Sequence, residues 1–226
     1  MTISRRTCLG AGLAACGLLL GGLAQAGSFE DFFVAVRRDD ARTIKTLLAR
    51  GFDPNTVDET GQPALMLAFN MESYRAMEAL LASPDIKAEL RNSRGESLLM
   101  LAAIKGDLRL AKWLIDGGAD VNKTGWTPLH YACSGTSPQQ LEMARLLLEN
   151  AAYIDAESPN GSTPLMMAAM YGTTDVLRLL LEEGADATLR NQQGLTAIDF
   201  AQRVGRTANV DAIAAALRKN QPKGTW

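Results

Sequence analysis

The side chains best equipped for chemistry are His130 and Cys133, three residues apart, and both are the sole residues of their type after Cys16. A catalytic thiol needs a base held against it and a third group that orients the base. His130 has no carboxylate close by in sequence to take that third role, and a lone histidine without a carboxylate partner makes a poor base or ligand site. Cys133 sits in an apolar run and reads as a small buried hydrophobe. Met166, Met167 and Met170 offer thioethers suited to a soft metal. Met66, Met100 and Met166, however, occupy the same slot of a recurring motif as His130, and Met167 the apolar slot behind it, so packing is the expectation. Asp53, Asp120 and Asp186 likewise recur by position and do not form a pair. There is no phosphate loop, no nucleophile elbow, and no zinc or calcium spacing. The expectation is no catalytic residue, no cofactor, no metal and no enzyme.

The elements that carry these residues repeat. Aligned on a glycine, the strings are Gly61-Gln-Pro-Ala-Leu-Met-Leu-Ala-Phe69, Gly95-Glu-Ser-Leu-Leu-Met-Leu-Ala-Ala103 and Gly125-Trp-Thr-Pro-Leu-His-Tyr-Ala-Cys133, followed by Gly161-Ser-Thr-Pro-Leu-Met-Met-Ala-Ala169 and Gly194-Leu-Thr-Ala-Ile-Asp-Phe-Ala-Gln202. A second string trails them: Leu47-Leu-Ala-Arg-Gly51, Trp113-Leu-Ile-Asp-Gly117 and Leu180-Leu-Glu-Glu-Gly184. In Thr127-Pro128-Leu129-His130 the threonine hydroxyl can cap a helix, and Pro128 suits its first position, where a missing N–H costs nothing. Apolar residues follow at Leu129, Ala132 and Cys133, and a second amphipathic helix carries Leu141, Ala144, Leu147 and Leu148. The closing glycines suit left-handed C-caps.

Gly118-Ala-Asp-Val-Asn122 and Gly184-Ala-Asp-Ala-Thr188 complete the pattern, and the chain from residue 27 to 219 resembles the ankyrin-repeat family. The resemblance implies an all-α solenoid of about six helix-turn-helix repeats with short hairpin loops. Phe29 to Asn55 would be the N-terminal cap, and the repeat from Gly194 the C-terminal one, with residues 220–226 a disordered tail. His130 falls in the family's Thr-Pro-Leu-His slot, where the imidazole braces the turn.

Departures gather around the fourth repeat. Asn122 to Gly125 is three residues shorter than Asn55 to Gly61, which predicts a truncated hairpin. Ser134 to Gln140 carries about three extra residues between helices, and Ala151 replaces the usual helix-ending glycine. Ser83-Pro84-Asp85 adds a residue at the same kind of place.

Residues 1–26 read as an export signal. Arg5-Arg6 supplies the charge, an apolar glycine-rich stretch runs from Cys8 to Leu23, and Ala24-Gln25-Ala26 gives the cleavage pattern, leaving Gly27 first. Ser4-Arg5-Arg6-Thr7-Cys8-Leu9 is similar to a twin-arginine signal, while Leu13-Ala14-Ala15-Cys16 is similar to a lipobox that would lipidate Cys16. An uncleaved anchor is a third reading. The expected location is the periplasm, with no membrane span after cleavage and no intramolecular disulfide, since only Cys133 remains. The whole chain has 23 Lys and Arg against 25 Asp and Glu, net −2, and loss of Arg5 and Arg6 takes it to −4. That argues against the basic footprint of a nucleic-acid binder.

Ankyrin proteins typically bind a protein through a concave face made of hairpin tips and the ends of first helices. Carried over position by position, that face contains Met71, Arg94, Ile104, Lys105, Trp126, Asn160, Met170, Tyr171, Gln193 and Leu195. The expectation is a monomer that binds another exported or envelope protein there. Trp126 has the alternative of folding over its own shortened hairpin. A pocket near the fourth repeat, serving a small ligand or an enzyme, is the competing reading, and a lipid-anchored envelope scaffold a further one.

Overall fold

The structure, a computed structural model, describes residues 17–219, with side chains from Gly27 onward. The export motifs around Arg5, Arg6, Cys8 and Cys16, and the tail from Asn220, lie outside the described residues. Ala26 and Gly27 both fall within the first helix, α1 (Gly17–Arg37). Among the described residues no helix is long and apolar enough to cross a membrane.

Helices come in pairs: α1 with α2 (Ala41–Ala49), α3 (Ala64–Asn70) with α4 (Tyr74–Leu81), α5 (Leu98–Lys105) with α6 (Leu108–Asp116), α7 (Pro128–Ser134) with α8 (Gln140–Glu149), α9 (Pro164–Met170) with α10 (Thr174–Glu182), and α11 (Ala197–Arg203) with α12 (Thr207–Lys219). This is the all-α helix-turn-helix repeat architecture that the sequence pattern implies. The chain forms two compact units, divided in sequence between Ile86 and Lys87.

The first unit holds two repeats. Its helices α2, α3 and α4 are too short to persist alone, so packing of their apolar faces supplies the stability. Phe32, Phe33, Val36 and Ile44 of the first pair are buried, as are Met66 and Leu80 of the second. Phe52 closes on Phe32 at 4.4 Å between ring centroids. Asp39 accepts from the Ala76 N–H at 2.8 Å, and the Asn55 amide donates to the Asp85 carbonyl at 2.8 Å, so two polar side chains tie the first repeat to the second.

The second unit holds four repeats. The first helices α5, α7, α9 and α11 pack in one row, and α6, α8, α10 and α12 in another. Leu99, Leu114, Leu129, Leu147, Leu165 and Leu180 are fully or nearly fully buried between them, each contributing roughly 1.5–3 kcal/mol by removal from water. In α8 the buried face is Gln140, Met143, Ala144 and Leu147. Leu141 and Leu148, expected on that face, are only half-buried at its margins. The register matches that of α6 and α10, whose buried residues Leu110, Ala111 and Leu114, and Val176, Leu177 and Leu180, align with Met143, Ala144 and Leu147; the longer connection from α7 adds Gln140 to that face.

Ser97, Thr127, Thr163 and Thr196 occupy the N-cap positions of the first helices of this unit, and in each the third helical residue reaches back to the cap. The reaching atom differs: the thioether sulfurs of Met100 and Met166 accept the cap N–H at 3.4 Å, His130 Nδ1 at 3.2 Å and Asp199 Oδ2 at 2.7 Å. The slot selects for an acceptor that reaches back, which explains why histidine, methionine and aspartate interchange there. In the first unit Met66 sits in the same slot but Pro63 is the N-cap and has no N–H to offer.

The hairpins show a fixed backbone pair, as in Asn92 N–H to Glu96 carbonyl at 3.0 Å and Gly95 N–H to Asn92 carbonyl at 2.8 Å. The same pair recurs at Asp58–Gln62, Ser158–Ser162 and Asn191–Leu195. The segment from Asn122 to Gly125 lacks it, so the truncated hairpin is present as expected. The Lys123 ammonium donates instead to the Gly95 carbonyl at 2.9 Å, and Asn122 bridges forward to the Ala151 carbonyl and the Tyr153 N–H.

Candidate functional site

Trp126 follows Gly125 in the shortened hairpin, where Glu96, Ser162 and Leu195 stand in neighbouring repeats. With the hairpin cut short, the indole turns back over the start of α7 and meets His130 edge-on, 5.3 Å between centroids at 78°. It is half-buried: one side covers its own repeat, as the alternative expectation had it, and the other is open.

The open side of Trp126 belongs to a cleft of about 230 Å³ lined by Ile104, Trp126, His130, Tyr131, Ser134 and Met167. These come from α5, the shortened hairpin, α7 and α9, three successive repeats. Small-molecule sites usually occupy roughly 300–1,000 Å³. A pocket near the fourth repeat therefore exists, but it has room for one large side chain.

The cleft floor is fixed. His130 is fully buried; its Nδ1 lies 2.8 Å from Thr127 Oγ1 as well as near the Thr127 N–H, and Nε2 lies 2.9 Å from the Ser162 carbonyl in the next repeat. An acceptor at Nδ1 and a carbonyl at Nε2 specify the neutral tautomer with its proton on Nε2. Burial pushes the imidazole pKa below its ordinary value, against the pull of the Ser162 carbonyl. The imidazole is thus a brace, and its geometry offers no free nitrogen to a substrate. Cys133 is fully buried and burial alone drives its thiol far up, so it is not a nucleophile. Among the described residues no group of three or more His, Cys, Asp or Glu could hold a metal ion.

The rim is polar. Tyr131 donates its hydroxyl to Glu96 at 3.0 Å, and Glu96 also accepts from Arg94 at 2.7 Å and Asn92 at 2.8 Å. Burial disfavours the Glu96 charge, yet the three donors outweigh it and hold the carboxyl below its usual range. Burial and the Glu96 carboxylate push the Tyr131 phenol up to about 12. At the start of α8, Gln140 is fully buried and donates to the Ile104 carbonyl at 2.6 Å, while its Oε1 has no partner. Gly135 makes room for that amide, since a Cβ there would stand 1.8 Å from Gln140 Nε2.

Of the residues expected on the binding face, the structure brings Ile104 and Trp126 together in this cleft. Arg94 and Lys105 are exposed on the same repeat as Ile104. Asn160 is at a hairpin tip, but its side chain accepts from Ser158 and Ser162 and its carbonyl from Gln192, so it organises the turn. Met170 is half-buried and Tyr171 is 47% exposed at the end of α9. Gln193 is exposed and Leu195 half-buried in the last hairpin. Met71, 47% exposed, lies in the first unit after α3. Tyr131 and Met167 were not on the expected face. Both occupy the position after the His130 slot, held by Leu101 in the third repeat, and Met167 is half-buried against the cleft rather than sealed in the core. Their signal was an aromatic and a thioether where an ordinary aliphatic would fill the slot.

Comparison with known proteins agrees with this architecture. Residues 72–158 and 140–222 match the family described as ankyrin repeats (three copies). The chain is 32% identical over 155 residues to the B-cell lymphoma 3 protein homolog of Mus musculus, covering 66% of this chain and 34% of that protein. It is 28% identical over 187 residues to the putative ankyrin repeat protein YahD of Escherichia coli, covering 77% of this chain and 90% of that one. It spans 17% of the nuclear factor NF-kappa-B p105 subunit of Gallus gallus, at 31% identity. A crystal structure of an ankyrin repeat domain from Acinetobacter baumannii superposes with a TM-score of 0.69 at 24% identity, over 82% of this chain and 96% of that one.

Proposed function

Because the chain belongs to the ankyrin-repeat family, whose repeats are in general protein-interaction modules, we propose that it is a non-enzymatic binding protein. We place its partner site on the hairpin-and-first-helix side of repeats three to five, the family's concave face. The observation that carries this reading is the cleft formed by Ile104, Trp126, Tyr131 and Met167. Aromatic and methionine side chains concentrate at interface centres, and here they leave open surface that the core does not need.

In this reading the chain acts after export, as a monomer in the periplasm, on another exported or envelope protein. The signal-like Arg5-Arg6, the apolar stretch and Ala24-Gln25-Ala26 support that location. Lipidation at Cys16, making the protein an anchored scaffold, is the variant that the same segment supports. Mass spectrometry of the purified protein decides between them: an N-terminus at Gly27 supports the periplasmic form, and a diacylated Cys16 the anchored one.

The binding reading is tested by site-specific photo-crosslinking from position 104 in envelope extracts, with and without Trp126→Ala. A discrete adduct that disappears in Trp126→Ala, with cooperative thermal unfolding retained, supports it. Adducts indifferent to Trp126 would move the site elsewhere.

A further inference from the structure

Charge in the second unit is segregated by element. The hairpin tips and first helices around the cleft, residues 92–106, 122–135 and 158–171, carry Arg94, Lys105 and Lys123 against one carboxylate, Glu96. The second helices and their turns, residues 107–121, 136–157 and 172–190, carry eleven carboxylates against five bases. A net-negative chain therefore presents a cationic strip on the side that holds its apolar cleft. The one carboxylate of that strip is already bonded by Asn92, Arg94 and Tyr131.

We infer that the cleft takes one large apolar side chain from an acidic segment of a partner protein, the acids of that segment lying along Arg94, Lys105 and Lys123. This rests on the cleft being the partner site. The volume, about 230 Å³, sets the anchor at a single side chain. Trp126 and Tyr131 line it with aromatic surface, and Ile104 and Met167 with aliphatic surface, so the anchor is apolar. A lysine or arginine anchor would suit the aromatic rings, but the surrounding strip repels it. Lys123 sharpens the preference. It is half-buried, and its ammonium is held in place by the Gly95 carbonyl at 2.9 Å, so the strip carries a fixed positive charge there. Flanking charges act mainly on encounter and specificity, and the anchor supplies the affinity.

The test is a phage-displayed library of random twelve-residue peptides, selected on the mature protein at low ionic strength. The selected peptides are expected to be rich in Asp and Glu around one Leu, Phe, Trp or Met. Their binding should weaken with added salt, fall about fivefold in Lys105→Glu, and vanish in Trp126→Ala. Lys105 is exposed at the end of α5, and an unchanged thermal unfolding of Lys105→Glu shows that the variant reports charge and not folding. Peptides that are basic or show no charge bias, yet still need Trp126, would overturn this inference and leave the site standing. Peptides indifferent to Trp126, or no peptides at all, would overturn both. Displacement of the peptides by an oligothymidylate of equal charge would also overturn it, because the strip would then be reading phosphate and not an acidic protein segment.

Discussion

His130 of one repeat and Ser162 of the next are joined by a bond of 2.9 Å from the imidazole Nε2 to the backbone carbonyl. The same ring closes the cap of its own helix at Thr127, so one side chain fastens a turn and staples two repeats. The Ser162 carbonyl also accepts from the Ser158 N–H, so it is not orphaned when the imidazole is removed.

This bond predicts a pH dependence of stability. The folded state holds the imidazole neutral, with a pKa below the ordinary 6.5, because burial penalises the charge. A depressed histidine pKa means that the unfolded chain binds the proton more readily. Its contribution is complete above about pH 6.5 and is lost as the pH falls toward the folded value. Urea midpoints measured from pH 8 to pH 5 should fall, and His130→Met should flatten that fall. Methionine already serves this slot as Met100 and Met166, so the variant should lose only the bond to Ser162, about 1 kcal/mol at pH 8. An undiminished pH slope in His130→Met would assign the effect to other groups.

Ala151 adopts φ 61 at the position where Gly51, Gly118 and Gly184 supply the left-handed residue elsewhere. A Cβ in that region costs about 1 kcal/mol or more, and glycine's extra chain entropy recovers part of the difference. Ala151→Gly should therefore raise stability by about 0.5 kcal/mol, read as a higher urea midpoint at unchanged slope. A lower midpoint would mean that the alanine methyl earns its place by packing.

Gly135 has an ordinary φ of −79, so conformation does not require it; space does. A Cβ would meet Gln140 Nε2 at 1.8 Å and the Ile104 carbonyl at 2.6 Å, and the carbonyl is backbone. Gly135→Ala should cost about 2 kcal/mol or more and disturb the cleft through Ile104. Calorimetry measures the first effect, and the emission of Trp126 in a Trp113→Phe, Trp226→Phe background reads the second. A variant as stable as the parent would show that the loop from Gly135 to Gln139 is softer than its packing implies.

Cys133 lies fully buried with its thiol pushed far up by desolvation. Labelling by a maleimide or an aromatic disulfide should proceed only through opening of the fourth repeat, at a rate that rises with urea. Rapid labelling of the folded protein would require an opening that its place in α7 does not allow.

Much of this was legible from residue order. The phase of the glycines, the Thr-Pro caps and the repeating Leu-Leu strings determine helix pairs, because short-range capping and helical periodicity act within one repeat. The shortened hairpin before Gly125, the long connection after Ser134 and the odd Ala151 could be read by counting. The interchange of His130 with Met100 and Met166 already pointed to a structural imidazole, though not to the sulfur–amide contacts that make the exchange work.

The cleft was not legible in the same way. Tyr131 and Met167 sit one position behind the capping slot, and nothing in either string says that the two, from different repeats, converge with Ile104 and Trp126. That convergence depends on how far α5, α7 and α9 are offset as they stack, and on the indole turning back where the hairpin is cut short. Nor does the order of residues show that Lys123 reaches the Gly95 carbonyl. Local chain chemistry, which acts over a few residues, determined the repeat; the juxtaposition of side chains some thirty residues apart, which only packing between repeats can set, decided the site.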